Sequence, residues 1–252
     1  MFCIDKDKKN NDYCSEYRAN WPGSFQVHKN GECDLRGTYC AILVAYVLNL
    51  LDDELIEGVA EHIKLCQTFE GGLGPEPFVE AHGGYNFCGI ATLIMLKRLD
   101  IINMDKQLRW LVNKQMTLEG GFQGRTNKLV DSCYSFWQAS VFNMIIMNNN
   151  ELKYSYDSEL LYDQLALQAY ILFCCQDKTH GGLVDKPGSK PDLFHTNYAS
   201  AGLSLSQKCL IKDININISL HESTEDIAIM NPIFCLEENK VYTAMRYFYS
   251  LD

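Results

Sequence analysis

Apolar residues along the chain fall into two alternating kinds of stretch. One kind is apolar on nearly every side with small residues mixed in: CAILVAYVLNLL from Cys40, CGIATLIMLKRL from Cys88, WQASVFNMIIM from Trp137 and ASAGLSLSQKCL from Ala199. Few charges interrupt them, as expected of helices buried on most sides. The other kind, EGVAEHIKLCQ, DKQLRWLVNKQM and YDQLALQAYILFCCQ, mixes apolar residues at helical spacing with polar ones, so one face is wet. Each of these has a glutamine at its last or second-last position, Gln67, Gln115 or Gln176, four or five residues ahead of a glycine pair.

The glycines set a repeat. Turns closing on an apolar residue start at Gly23, Gly71, Gly120 and Gly181, at intervals of 48, 49 and 61 residues, the last stretched by a polar insertion around Asn148, Asn149 and Asn150. Glycine there supplies the positive φ that ends a helix. An aromatic follows 16 residues after the first glycine in three repeats, Tyr39, Phe87 and Phe136, and 17 after in the fourth, Tyr198. The predicted unit is a hairpin of one wet and one dry helix. Four such hairpins give an all-α fold of the α/α toroid kind, an incomplete barrel with the dry helices inside. Segment 1–20 is expected to be poorly ordered and 21–252 to form the partial barrel domain.

Composition narrows the function. The 252 residues are 47% hydrophobic and 21% charged, ordinary for a folded protein, which excludes disordered and collagen-like classes. A net charge of −10 has the wrong sign for gripping nucleic acid or anionic lipid. The longest apolar run, Cys40 to Leu48, is far short of the roughly 20 residues a spanning helix needs, so no stable membrane insertion is expected. Eleven cysteines without a C-x-x-C pair point to free thiols in a reducing compartment, the cytoplasm.

Superposed on the shared aromatic, the repeats place Arg36, Gly84, Cys133 and His195 three residues ahead of it, and Asp34, His82, Asp131 and Leu193 five ahead. Asp131, Cys133 and His195 are a carboxylate, a thiol and an imidazole, a set that suits zinc with a fourth position open. The bland alternative makes Asp131 a helix cap and Cys133 core filler. Arg125 and Lys128, in a loop just ahead of Asp131, with His82 and Tyr134, suit a phosphate or diphosphate; a solvated surface loop is the alternative. Tyr39, Tyr85, Phe87, Phe136 and Trp137 either line an apolar cavity or are plain core. Taken together, the three groups fit transfer of a prenyl chain from its diphosphate.

Three segments carry a resemblance: Glu80 to Gly89 (EAHGGYNFCG), Gly120 to Gln138 (GGFQGRTNKLVDSCYSFWQ) and Asp185 to Thr196 (DKPGSKPDLFHT). They resemble the β subunits of protein prenyltransferases, most closely those of farnesyltransferase, over Pro22 to Gln207 and more weakly to the end. The resemblance implies a barrel of six hairpins, of which those before Pro22 have no counterpart here, and a heterodimer with a helical-repeat α subunit. It implies zinc on Asp131, Cys133 and His195, diphosphate held by His82, Arg125, Lys128 and Tyr134, and isoprenoid along Arg36, Tyr39, Tyr85, Cys88 and Trp137. It also places Mg²⁺ near Asp185. The implied reaction joins a farnesyl group from farnesyl diphosphate to the cysteine of a C-terminal CaaX motif.

Subclass features are mixed. Type-I geranylgeranyltransferases typically carry lysine at the Asp185 position, which favours the farnesyl or Rab type, and Asn127 and Gln138 sit closer to the farnesyl enzyme. The segment Asn231 to Cys235 leans toward the Rab type, and Phe194 stands where farnesyl enzymes usually have tyrosine. A noncatalytic scaffold that retains its ligands by descent is the competing reading. An exposed apolar flank is expected on the first hairpin unless another chain covers it.

Overall fold

The computed structural model describes residues 22–148, 161–211, 214–217 and 227–251; the expected disorder of segment 1–20 and the insertion beyond Asn148 lie outside them. The dry stretches form α1 (Leu35–Val47), α4 (Gly83–Met95), the pair α6 (Tyr134–Trp137) and α7 (Ala139–Met147), and α9 (Leu193–Gln207). The wet stretches give α3 (Val59–Leu65), preceded by the short α2 (Asp53–Ile56), then α5 (Met104–Val112) and α8 (Gln164–Ala169), which runs on through a π turn over Tyr170–Cys174. The fourth dry stretch is helical only to Gln207: Lys208–Ile211 (β1) instead pairs antiparallel with Ile214–Asn217 (β2).

Most wet helices and the head of every dry stretch carry a polar side chain that satisfies backbone donors with no partner within the helix, Asn103 and Asp163 doing so for α5 and α8. On the dry helices the caps are Asp34, His82, Asp131 and Asp192, whose side chains accept from the backbone N–H of Arg36, Gly84, Cys133 and His195 at 2.8–3.1 Å. These caps correct the register of the fourth repeat. Asp192, not Leu193, is the counterpart of Asp131, and the side chain of Leu193 is largely in solvent. The extra residue in that repeat shifted the count.

The glycine turns come out as expected: Gly23, Gly71, Gly120 and Gly181 all have φ between 78° and 115°. At Gly71 and Gly120 a second demand applies, because a Cβ would overlap the carbonyl of Lys106 or of Ala166 in the next wet helix. The glutamines ahead of the turns seal the same joints. Gln115 donates to Gly120 O at 2.8 Å and Asp163 O at 2.7 Å while accepting from Asp163 N–H at 2.8 Å. Gln67 makes the matching set with Gly71 and Asn103, each at 2.9 Å. One side chain thus ties a turn to the cap of the following helix.

The dry helices pack side by side in chain order around a core in which Phe25, Phe87, Phe122, Phe136 and Phe142 are fully buried, each worth about 1.5–3 kcal/mol of burial. The flank of α1, expected to be exposed, is partly covered by the chain itself. Strands β3 (Met230–Asn231) and β4 (Leu236–Glu237) bracket a turn whose Ile233 carbonyl accepts from Tyr39 Oη at 2.6 Å. Phe234 stacks on Tyr46, and Tyr249 in α10 (Glu238–Tyr249) donates to the Tyr46 carbonyl at 3.0 Å.

Candidate functional site

The heads of the dry helices lie along one rim, and the predicted site residues follow it. Asp131 and Cys133 stand at the start of α6 and His195 in the first turn of α9. The two helices come close because Gly202 has no side chain: a Cβ there would overlap the backbone of Ser135. One donor atom from each of the three residues then falls within 4.8 Å of the others. Zinc bonds of about 2.0–2.3 Å set tetrahedral donors roughly 3.3–3.8 Å apart, so only small side-chain adjustments separate this arrangement from a coordinated one.

The surroundings favour a cation. Burial, with the Asp131 carboxylate beside it, pushes the Cys133 thiol well above its ordinary range, so the sulfur stays protonated unless positive charge arrives. His195 Nε2 faces Asp131 Oδ1 at 3.4 Å, while its Nδ1 is 2.6 Å from Asp192 Oδ2. That outer carboxylate fixes the ring and aims Nε2 inward. Asp131 is also the cap, accepting from Cys133 N–H at 2.9 Å, so the bland and chemical readings hold together.

Along the rim from the triad, Tyr134 Oη lies 3.0 Å from His82 Nε2. His82 Nδ1 accepts from Gly84 N–H at 3.1 Å, which puts the neutral ring's hydrogen on Nε2, donating to Tyr134. The phenol O–H is then available to donate to another acceptor. Burial and the nearby Arg125 lower the His82 pKa, and burial raises that of Tyr134, so both stay neutral near pH 7. The His82 ring also meets Tyr85 edge-on, and Arg36 sits over the Tyr85 ring at 5.5 Å.

The cationic loop is anchored at its base by Gly83 N–H donating to Gly124 O at 2.7 Å, and it turns at Asn127 with φ of 60°. Lys128 is exposed. Arg125 and Arg36 hold carboxylates that sequence reasoning did not pair with them: Glu80 at 3.2 Å from Arg125, and Asp34 at 2.6 Å from Arg36.

An aromatic belt runs inside the arc. Tyr39 meets Phe87 edge-on, Phe87 meets Trp137, Trp137 lies 4.2 Å from Tyr198, and Tyr198 meets Phe194, whose ring abuts His195. Phe87 and Phe136 are 1% and 0% exposed, core behind the belt and not its surface. Cys88 is buried likewise, whereas Tyr39, Tyr85 and Trp137 keep partly open faces.

Asp185 lies next to the triad, its carbonyl accepting from Ser132 N–H at 2.8 Å. Burial opposes its charge, yet hydrogen bonds from Lys186 and Ser189 hold the carboxyl at about 2. Its side chain is engaged by Lys186. Among the described residues no helix is long and apolar enough to cross a membrane.

Comparison with known proteins agrees with this architecture. Residues 5–236 match the model of the prenyltransferase alpha-alpha toroid domain. The protein farnesyltransferase subunit beta of Arabidopsis thaliana is 37% identical over 76% of this chain and 50% of its own length. That of Schizosaccharomyces pombe is 39% identical over 86% of this chain and 58% of its own. Beta subunits of geranylgeranyl transferases of types 1 and 2 also match. Candida albicans protein geranylgeranyltransferase-I, solved in complex with GGPP, superposes with a TM-score of 0.65 at 24% identity, covering 89% of this chain and 61% of that one, a likeness of fold. The chain spans about half the length of the curated relatives it matches. Repeating hairpins, glycine joints and a family match across nearly all of the sequence lead to one conclusion: the chain belongs to the prenyltransferase alpha-alpha toroid family.

Proposed function

We propose that this chain is the zinc- and diphosphate-binding part of a protein farnesyltransferase β subunit. In this reading it acts in the cytoplasm with an α subunit and transfers farnesyl from farnesyl diphosphate to the cysteine thiol of a C-terminal CaaX motif. The observation that carries the reading is the convergence of Asp131, Cys133 and His195 on one point at the rim of an aromatic-lined arc. These three residues would hold zinc, whose chemistry is to lower the pKa of a bound thiol.

The chain's own groups supply the rest. Tyr134, oriented by His82, donates to the diphosphate, and Arg125 and Lys128 bring cations to it; charge builds on that leaving group as its bond to C1 breaks, so fixed donors there favour the transition state. In this reading Arg36, Tyr39, Tyr85 and Trp137 border the isoprenoid with the buried Cys88 behind them, and Asp185 would share a Mg²⁺ with the diphosphate. Asp185 and the wording around Asn127 support the farnesyl over the type-I geranylgeranyl subclass.

The test is metal content followed by lipid choice. The purified chain is expected to hold one zinc, lost in Cys133→Ala and in His195→Ala. Co-expressed with a prenyltransferase α subunit, it is expected to use farnesyl ahead of geranylgeranyl diphosphate on a CaaX peptide. Absence of zinc at micromolar supply overturns the catalytic reading; preference for geranylgeranyl diphosphate overturns the subclass.

A further inference from the structure

Lys114 is 3% exposed, although lysines are almost never fully buried without a partner. It follows α5, at a place the repeats define independently: its carbonyl accepts from Gln123 N–H at 2.9 Å, as that of Cys66 does from Gly74 and that of Cys175 from Val184. The other two hairpins thus fill this position with a small apolar thiol. Packing therefore does not call for a lysine here, and burying an ammonium costs several kcal/mol unless partners offset it.

Its partners identify what it serves. Lys114 Nζ lies over the Trp110 ring at 4.8 Å and donates to Thr126 Oγ1 at 2.8 Å, while the Thr126 hydroxyl donates to Glu70 Oε2 at 3.2 Å. Thr126 is the residue after Arg125 and two before Lys128. Turning the Gln123 amide to satisfy its neighbours adds donation to Arg125 O at 3.1 Å and Lys128 O at 3.0 Å, so the loop is held from beneath at three residues.

We infer that Lys114 is a positioning residue for this loop: its buried ammonium pins Thr126 so that Arg125 and Lys128 stand ready to receive a diphosphate, and its charge keeps the loop cationic against Glu70 and Glu80. The inference rests on the proposed reading of the loop as a diphosphate site. A preformed loop spares the ordering entropy that a mobile one would lose on binding.

The test is calorimetric titration of the zinc-loaded 252-residue chain with inorganic diphosphate. Lys114→Met is expected to weaken binding about tenfold, Lys114→Arg to restore most of it, and zinc affinity to stay unchanged in both. Thr126→Val is expected to weaken binding without adding to the effect of Lys114→Met, as for two members of one interaction. A purely structural lysine would lower stability while leaving diphosphate affinity alone. Unchanged affinity in Lys114→Met, beside clear loss in Arg125→Ala, overturns the inference and spares the loop reading. A parent chain that binds zinc but no diphosphate overturns both.

Discussion

Asp192 holds His195 from outside the triad: Oδ2 stands 2.6 Å from Nδ1, and Oδ1 accepts from the His195 backbone N–H at 2.8 Å. One carboxylate therefore starts helix α9 and turns the imidazole toward Asp131. Because asparagine also caps helices well, the two roles separate in Asp192→Asn. That variant is expected to keep its thermal stability while zinc affinity falls about 10- to 100-fold, read by competition with a chromogenic chelator. Unchanged zinc affinity would show that the ring needs no outer support.

Arg125 is tied to Glu80 at 3.2 Å, and both side chains are more than 40% exposed, so the pair contributes little stability. If the loop receives a diphosphate as proposed, that ligand must share or displace the Glu80 carboxylate. Glu80→Gln is expected to tighten inorganic diphosphate binding about two- to fivefold at low salt, with the gain shrinking as salt screens the charges. Equal affinity at all ionic strengths would mean that Glu80 does not compete.

The meeting of α6 and α9 depends on Gly202 lying flat on the backbone of Ser135. Gly202→Ala forces the helices apart. The expected cost is about 1–3 kcal/mol in urea unfolding, with weaker zinc binding because His195 retreats from Cys133. A stable variant with intact zinc affinity would contradict this account of the approach.

Gln115 joins two hairpins through three hydrogen bonds, to Gly120 O, Asp163 O and Asp163 N–H. Gln115→Ala is expected to cost about 1–3 kcal/mol, with Gln115→Glu intermediate because the carboxylate keeps only the acceptor role. Faster amide exchange at Gly120 and Asp163 is the local signature.

Acid should weaken the fold before it reaches the carboxylates. Burial lowers the pKa of His62, and burial with Arg125 nearby lowers that of His82, so the unfolded chain takes up protons first. The stabilisation from these neutral rings is complete above their unfolded pKa, near 6.5, and is lost as pH falls through the lower folded values. Urea midpoints are expected to drop as pH falls below about 6.5, and less steeply in His62→Gln. A flat profile in the parent chain would exclude both histidines as the source.

The sequence by itself determined the hairpin period, the positive-φ glycines and the gathering of Asp131, Cys133 and His195 at one rim, because each depends on local backbone preference repeated at a fixed interval. Spacing cannot say which side of a helix meets which neighbour. The assignment of Phe87 and Phe136 to the core, the pairing of Arg36 with Asp34 and of Arg125 with Glu80, and the support of Thr126 by Lys114 were settled only when the elements packed. Asp192 escaped notice because one extra residue displaced the repeat's register, which the cap hydrogen bonds restore. The covering of α1 by Ile233, Phe234 and Tyr249 joins segments almost two hundred residues apart. Contacts of that reach come from tertiary burial, which no local pattern records.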